Sequence, residues 1–349
     1  MNTTEANPIL FYKSAHHEAI WCNFGSEKLV VTFAPRKEPT PAEFFGQDFL
    51  EKERISYVVI RTMDNTWYLN DDMDELLAAV RARIDESGAK QVTLFGPSMG
   101  SFGCIRATNA LRPNKIIICA PVVTLDPAIE RRWMSDYDHM LPAYLLRAHE
   151  MLPLVDGVEV FAIYDPDDKD AEHVDVLSKT NPLTRIEIRG AGHMVLQYLR
   201  DSGTLGKVIR LLLGQSVNLK DVSALLTRSR KQNKSHLLNL PQKLDKRGKL
   251  QAIVLSYALR RFPDDIDVLL AKAGLLARAM QFQEASEIIE RVATRHGRRS
   301  LGVSLGRALA VFVQKGGDPA RVEQAAGLFA SPQPRARGAQ IWYSRFLRH

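Results

Sequence analysis

Six short apolar runs in the first 190 residues constrain the fold of this chain more than any other feature. They are rich in valine and isoleucine, and several lack the alternation of polar and apolar residues that a half-exposed strand shows. Strands that are apolar on both faces are typical of a parallel sheet covered by helices. The runs are KLVVTF (28–33), ISYVVI (55–60), QVTLF (91–95), KIIICA (115–120), VEVFAIY (158–164) and TRIEIR (184–189).

Helical stretches separate these runs. The segment at residues 73–88 carries apolar side chains at positions 76, 77, 80 and 84, and it ends at Gly88, a residue type common just past a helix. Because strands and helices alternate as far as about residue 214, the sequence predicts a three-layer α/β domain over residues 1–214.

A serine between two glycines follows the third of these runs. In LFGPSMGSFG (94–103), Ser98 stands after a strand and before a predicted helix, with Gly96 and Gly100 on either side. Glycines at these positions let the backbone turn tightly and hold the hydroxyl at the carboxyl end of the sheet, where ligands bind. The backbone N–H of Met99, at the start of the helix, is placed to stabilise a developing oxyanion.

A serine nucleophile needs a base and an acid. His193, in RGAGHMV, follows the last predicted strand. We expect no strand end at His16, His17, His139, His149, His236 or His296. The loop YDPDDKDAEH (164–173) follows the preceding strand and offers Asp165, Asp167, Asp168 and Asp170. The chain order is therefore Ser, Asp, His, and the residues alone leave the choice of aspartate open.

The segments GPSMG, IYDPDD and GAGHMV resemble the three active-site segments of the α/β-hydrolase superfamily. The resemblance covers roughly residues 18–214, and it implies a nucleophile at Ser98 and a base at His193. It also implies an acid four residues after Tyr164, which is Asp168, with Asp170 and Asp165 as alternatives.

The resemblance also implies a second oxyanion N–H in the segment TFAPR (32–36). The residue that supplies it aligns near Ala34 or Pro35. Since proline has no N–H, we expect Ala34 or Arg36 to provide the donor.

Three further side chains are candidates for substrate contact. Trp67 and Tyr68 follow a strand and either stack on a sugar ring or an acyl chain or anchor a packed loop. Arg36 either binds an anionic substrate or lies solvated in its loop. The insertion at residues 124–157 predicts a small cap of one or two helices, whose candidate pocket residues are Trp133, Met134 and Tyr137.

Charge divides the chain into two parts. Residues 215–349 carry 24 Lys and Arg against 10 Asp and Glu, which leaves 23 basic and 30 acidic side chains in residues 1–214. Such a change predicts a domain boundary. We expect the basic charges to lie mainly on solvated helix faces, and we expect no nucleic-acid role.

The predicted second domain, residues 215–349, shows helical periodicity in place of strands. Its clearest segments are 241–265 and 268–297, in which Ala252 and Ala285 stand 33 residues apart in similar contexts. This period resembles that of tetratricopeptide-like helix pairs, in which small residues let helices approach closely. The resemblance implies a surface that binds a protein partner, with a third pair at 300–330 and a final capping helix.

Several classes of protein are not expected. The N-terminal residues lack the features of a secretory signal, no apolar run is long enough to span a membrane, and we expect a cytoplasmic protein. Three widely spaced cysteines indicate neither a disulfide framework nor a cysteine metal site. No dinucleotide fingerprint or phosphate loop is present, and the aspartate loop lacks the glycine and glutamate of a calcium-binding EF-hand, so we predict neither cofactor nor metal.

The sequence thus predicts a serine hydrolase that acts on an ester, a thioester or an amide, including an acyl group on a carbohydrate. Esters are the first expectation, because their leaving groups depart more easily than amines. Transfer of the acyl group to an acceptor other than water uses the same residues. The alternative is a non-catalytic, hydrolase-like scaffold that binds protein partners through its helical repeats.

Overall fold

The computed structural model describes residues 7–37, 42–137, 142–150, 153–243 and 248–296. The chain divides into two compact units between Ser229 and Arg230. None of the described helices is both long enough and apolar enough to cross a membrane.

Within its described residues, the first unit is built on one sheet of eight strands. The strands are β1 (Ile9–Lys13), β2 (His17–Cys22), β3 (Lys28–Phe33), β4 (Ser56–Thr62), β5 (Gln91–Pro97), β6 (Lys115–Cys119), β7 (Glu159–Tyr164) and β8 (Thr184–Glu187). Their order across the sheet is β1-β2-β4-β3-β5-β6-β7-β8. Strands β3 to β8 pair in parallel, as the apolar runs predict, whereas β2 pairs antiparallel with both β1 and β4.

The antiparallel pair at the sheet edge is not among the predicted strands. Strand β1 is mostly exposed, although Ile9, Leu10, Phe11 and Tyr12 form a continuous apolar run that was not assigned to a strand. The two strands join through a short turn in which the Ser14 backbone N–H donates to the His17 carbonyl at 2.9 Å.

Helices cover both faces of this sheet. The helices of the first unit are α1 (Gln47–Lys52), α2 (Met73–Ser87), α3 (Met99–Leu111), α4 (Met134–Tyr137), α5 (Pro142–His149), α6 (Asp170–Ser178), α7 (Val195–Asp201), α8 (Leu205–Leu212) and α9 (Leu219–Gln232), the last three residues of which lie beyond the division. Alternate strand residues face opposite sides: Ile116 and Ile118 belong to the apolar cluster that includes α2, α3 and α6, whereas Ile117 belongs to the one that includes α1, α7, α8 and α9. This is the three-layer α/β arrangement that the strand and helix alternation predicts.

The end of α2 is set by a local signal, whereas the boundary between the two units is set by tertiary contacts. Helix α2 ends at Gly88, which has a φ of 63° and donates its N–H to the Asp85 carbonyl. The predicted domain boundary after residue 214 lies just beyond α8. The contacts place the division later, because Val222 and Leu226 of α9 are buried in the apolar cluster on the sheet of the first unit.

The cap predicted at residues 124–157 contains α4 and α5. The start of this segment is joined to the end of α5, where the Leu125 backbone N–H donates to the Ala148 carbonyl at 3.0 Å. Tyr144, Ala148 and Leu154 are buried against the cluster on the α2 and α3 side of the sheet. The cap therefore belongs to the first unit and is short.

The described part of the second unit is entirely helical, with α10 (Lys234–Lys243), α11 (Gly248–Arg261), α12 (Ile266–Arg278) and α13 (Phe282–His296). Asp265 caps α12 by accepting the backbone N–H groups of Asp267 and Val268. Ala285 is buried between helices, as the repeat pattern predicts. Ala252, the predicted counterpart in α11, is exposed, and Ala258 is buried in that helix instead. The assignment to tetratricopeptide-like repeats stays a prediction, and the expected third pair and capping helix lie outside the described residues.

Candidate active site

Ser98 occupies a sharp turn between β5 and α3. Its φ of 51° and ψ of −118° are unfavourable for a residue with a side chain. The turn is held because the Ser98 backbone N–H donates to the Cys119 carbonyl at 2.9 Å, while the Ser98 carbonyl accepts the N–H of Ser101 at 2.9 Å. Strained strand-to-helix turns of this kind present a nucleophile at the top of a sheet.

The two glycines beside Ser98 are required by close backbone approach. A Cβ at Gly96 would lie 2.3 Å from the carbonyl oxygen of Gly100, and a Cβ at Gly100 would lie 2.2 Å from that of Phe33. Neither backbone atom can move without displacing a strand or a helix. This agrees with the sequence-based interpretation that the turn leaves no space for a side chain on either side of the serine.

A continuous chain of hydrogen bonds joins Ser98, His193 and Asp170. Nε2 of His193 lies 2.9 Å from Oγ of Ser98, and Nδ1 lies 2.8 Å from Oδ1 and 3.1 Å from Oδ2 of Asp170. Because a carboxylate can only accept, Nδ1 carries the proton and Nε2 presents its lone pair to the serine hydroxyl. The Asp170 carboxylate is fully buried and Ser98 is only 9% exposed.

Asp170, and not Asp168, is the carboxylate on His193. Strand β7 ends at Tyr164, and a turn follows in which the Asp168 backbone N–H donates to the Asp165 carbonyl at 3.1 Å. Because of this turn, the carboxylate that contacts His193 belongs to Asp170, the first residue of α6. Oδ1 of Asp168 instead accepts the backbone N–H of Asp170, the first residue of α6, at 3.3 Å. The spacing of four residues implied by the resemblance does not hold here.

Asp165, the other alternative acid, holds the loop that carries His193. Its Oδ2 accepts the backbone N–H groups of Gly190 and Gly192 at 2.8 Å each, and its Oδ1 accepts that of Asp167 at 3.0 Å. Asp165 is only 3% exposed, so these hydrogen bonds take the place of water around its carboxylate. Asp165 therefore positions the loop without contacting the imidazole.

Arg132 is a site residue that the sequence analysis missed. Its Nη1 lies 2.8 Å from Oδ1 of Asp170, 3.3 Å from Oδ1 of Asp168 and 3.3 Å from Nδ1 of His193. Partial burial alone would lower the pKa of Arg132, but hydrogen bonds to Glu130 and Asp170 raise it above its usual value. Nothing in the local sequence ERRW distinguishes Arg132 from its exposed neighbour Arg131.

A buried Glu130–His173 pair extends this network. Oε2 of Glu130 accepts from Nη2 of Arg132 at 2.6 Å and lies 2.9 Å from Nε2 of His173, whose Nδ1 accepts the Val123 backbone N–H at 3.3 Å. Burial by itself would raise the pKa of Glu130, but hydrogen bonds from His173 and Arg132 lower it to about 2. The carboxylate is thus ionised and ties the start of the cap to α6.

Asp168, Asp170 and His193 together have the side-chain types of a metal site, and their ligand atoms lie within 4.8 Å of one another. The Arg132 guanidinium lies within 3.3 Å of an atom of each of them. A fixed cation at this position repels a second one, so the group does not fit a metal ion.

The two predicted oxyanion donors differ. Met99 is the first residue of α3, and the first N–H groups of a helix have no acceptor within it. Ala34, in contrast, donates its N–H to the Ile60 carbonyl at 3.1 Å, because hydrogen bonding between β3 and β4 continues one residue past Phe33. The expectation for Ala34 is therefore wrong, and Arg36 remains as the other candidate for the second donor.

Trp67 and Tyr68 are packed loop anchors, and the expectation that they contact substrate is wrong. Both are buried, at 0% and 1% exposure, and both have positive φ angles. Nε1 of Trp67 donates to Oδ2 of Asp136 at 3.0 Å, and the Tyr68 hydroxyl donates to the Ala34 carbonyl at 2.8 Å. Tyr68 therefore holds the segment that follows β3.

Arg36 lies beside the site, but its charge is already paired. Its Nε and Nη2 donate to the two carboxylate oxygens of Asp136 at 2.8 Å each, and its guanidinium lies 5.5 Å from the ring centroid of Trp133. The sequence left open whether Arg36 binds an anionic substrate or lies solvated in its loop, and the structure pairs its guanidinium with Asp136. The side chain instead links the loop after β3 to the cap.

A pocket of ≈ 470 Å³ opens beside Ser98 and His193. Arg36 lines it, as does Trp133, whose ring centroid lies 5.7 Å from that of His193. Of the other cap candidates, Met134 is 45% exposed and does not line the pocket, and the side chain of Tyr137 lies outside the described residues. The other lining residues are mostly apolar and include residues of α1, α7 and α8.

Comparisons with known proteins returned only distant structural similarity. No family model matches the chain, and no curated protein matches it. The capsule O-acetyltransferase of Neisseria meningitidis serogroup A is 14% identical, with 58% of this chain and 94% of that chain covered at a TM-score of 0.44.

An esterase of Pyrococcus furiosus is 15% identical, covering 60% of this chain and 93% of that chain at a TM-score of 0.40. An α/β serine hydrolase without lid from Xanthomonas campestris is 16% identical, covering 61% of this chain and 98% of that chain at a TM-score of 0.40.

Proposed function

We propose that the chain is a serine hydrolase of the α/β-hydrolase superfamily, in which Ser98, His193 and Asp170 form the catalytic triad. The observation that supports this most directly is the alignment of the three side chains. One 2.9 Å contact joins hydroxyl to imidazole and one 2.8 Å contact joins imidazole to a buried carboxylate. The same arrangement of hydroxyl, imidazole and carboxylate activates a serine in hydrolases of unrelated folds.

The proposed reaction begins when Oγ of Ser98 attacks the carbonyl carbon of an ester or thioester. The hydroxyl proton moves to Nε2 of His193, and the imidazolium donates it to the leaving oxygen or sulfur as the bond to the carbonyl carbon breaks. Water then attacks the acyl-serine, gives a proton to the same nitrogen and releases the carboxylic acid, while Oγ regains its proton. Asp170 stabilises the imidazolium in both steps.

Stabilisation of the tetrahedral oxyanion is assigned to backbone N–H groups. The N–H of Met99 points out of the start of α3, where the helix dipole also favours negative charge. The second donor in this proposal is the N–H of Arg36, because Ala34 uses its own in the sheet and residue 35 is proline. The Tyr68 hydroxyl and the Arg36–Asp136 ion pair hold this segment in position.

The test is covalent labelling with a fluorophosphonate. We expect the wild-type protein to be labelled at Ser98, and we expect Ser98→Ala and His193→Ala to abolish labelling. His149→Ala is the matched control, because His149 is exposed and lies outside the described triad. Absence of labelling in folded wild-type protein would instead support the non-catalytic scaffold.

A further inference from the structure

We infer that the pocket beside Ser98 binds the acyl part of the substrate as an extended apolar chain. This inference rests on the proposed function, because it assigns one side of the scissile bond to a particular cavity. It goes beyond that function by selecting a medium-chain acyl ester or thioester over an acetyl or a polar acyl group.

The pocket walls are apolar over most of their extent. They are formed by aromatic and aliphatic side chains from the α1 region, the end of β5, and α7 and α8, including Phe45, Phe49, Phe95, Val195, Leu205 and Ile209. A polar acyl group placed here would lose hydrogen bonds to water without gaining partners from these walls. An alkyl chain makes no hydrogen bonds to water and would therefore lose none on entering the pocket.

The charges at the pocket also exclude one class of ligand. Among the described lining residues, the side chains with a permanent charge are Arg36 and Arg200, and both are cationic. Asp136 neutralises Arg36, and Arg200 is exposed. A cationic acyl group would therefore meet like charge and no carboxylate.

The volume fits a chain of intermediate length. A group of about the size of a water molecule takes ≈ 30 Å³. The ≈ 470 Å³ of the pocket therefore holds on the order of 15 such groups, which accommodates an acyl chain of about ten carbons. An acetyl group would leave most of this apolar space unfilled.

Gly206 provides a way to shorten the pocket. It lies in the first turn of α8 and lines the pocket, and a Cβ built there would be in ordinary contact with the Phe49 ring at 3.6 Å. Because no backbone atom obstructs this position, Gly206→Leu is expected to fold and to place its side chain in the space assigned to the acyl chain. Gly274→Leu is the matched control, since Gly274 is a helical glycine of the second unit with no atom within 4 Å of its Cβ position.

The first measurement is a series of p-nitrophenyl esters from acetate to decanoate, assayed below their micelle-forming concentrations. Each added methylene that enters the pocket is expected to raise kcat/KM about fourfold, equivalent to ~0.8 kcal/mol. The octanoate should therefore exceed the acetate by at least about 10²-fold. Gly206→Leu should reduce the octanoate-to-acetate ratio at least about tenfold, whereas Gly274→Leu should leave it unchanged.

The second measurement separates binding from chemistry. Decanoic acid is titrated calorimetrically into Ser98→Ala protein, where we expect saturable binding with a negative heat-capacity change. Adding Gly206→Leu to this variant should weaken binding at least about tenfold, since part of the apolar contact is lost.

The outcomes distinguish this inference from the proposed function. A protein that is labelled at Ser98 but hydrolyses acetate as fast as octanoate and does not bind decanoic acid overturns the acyl-chain assignment and leaves the hydrolase intact. A protein that binds decanoic acid in a Gly206-dependent way but is never labelled at Ser98 supports the apolar pocket and overturns the hydrolase.

Discussion

The carboxylate of Asp165 lies 2.8 Å from the backbone nitrogen of Gly192, the residue immediately before His193. The same oxygen also accepts the N–H of Gly190, so one buried side chain holds both glycines of the loop. The position of the imidazole over Ser98 thus depends on a residue that touches neither of them.

Replacing Asp165 is expected to misplace His193. In Asp165→Ala the N–H groups of Gly190 and Gly192 lose their acceptor, and a small displacement of a catalytic group costs on the order of 10²-fold in rate. We expect kcat for a p-nitrophenyl ester to fall by about 10²-fold with little change in KM. Asp165→Asn keeps one acceptor oxygen and should restore part of the rate. Equal loss in both variants would contradict a positioning role.

The choice between Asp170 and Asp168 is tested by their amides. Asp170→Asn removes the acceptor that sets the His193 tautomer, so kcat should fall by about 10³- to 10⁴-fold. Asp168→Asn keeps an oxygen that accepts the Asp170 backbone N–H, and its kcat should fall less than about tenfold. The comparison uses steady-state hydrolysis of one ester by both variants. A larger loss in Asp168→Asn would reverse the assignment of the acid.

Arg132 is expected to stabilise the fold as well as the site. Its replacement by methionine leaves the buried carboxylates of Glu130 and Asp170 without their shared cation, which should cost about 3 kcal/mol of unfolding free energy. Urea denaturation measures this loss. Arg132→Lys keeps the positive charge but lacks the planar guanidinium that binds two carboxylates, so it should recover only part of the lost unfolding free energy.

Arg131→Met is the control for this experiment, since Arg131 is exposed and its Nε donates to the Pro127 carbonyl. We expect a change within about 0.5 kcal/mol. Similar losses at both arginines would show that the buried network contributes little.

The low pKa of Glu130 predicts a pH-dependent stability. The pKa is about 2 in the folded protein and about 4.5 when unfolded, so the stabilisation is fully present above pH 4.5. It is lost as the pH falls from 4.5 towards 2, because protonation then favours the unfolded state. The difference in unfolding free energy between wild type and Glu130→Gln should shrink over this range, by up to about 3 kcal/mol. A difference that stays constant with pH would contradict an ionised Glu130 in the folded state.

The parts of the fold that sequence analysis recovered are those with a local signature. Six of the eight strands in the described part of the first unit appear as apolar runs, and α2 is marked by its spacing and by Gly88. Strands β1 and β2 were not predicted: β1 is the mostly exposed edge strand, and β2, although buried along its whole length, begins with the polar residues His17 and Glu18. Helices α11, α12 and α13 largely coincide with the two segments whose periodicity predicted helices, whereas α10 lies mostly before them. The small buried residue of α11 is Ala258 and not Ala252.

In the site, the residues recovered are those that follow directly from a strand end. Ser98 and His193 lie where the strand and loop pattern places them, and their proximity is set by β5 and β8 ending at the same edge of the sheet. The sequence favoured Asp168 as the acid in a loop with four aspartates, whereas Asp170 contacts the imidazole, because one extra turn separates the end of β7 from α6. No sequence pattern gives the length of that turn.

Residues close together along the chain were sufficient to predict the layered α/β domain, the tight turn at Ser98 and most of the described helices beyond Arg230. The packed structure was needed to establish that Asp170 faces His193, that Arg132 contacts both, that the Ala34 N–H donates within the sheet and that Trp67 and Tyr68 are buried. These outcomes depend on distances between segments far apart in sequence, and those distances are set by how the sheet and its covering helices pack.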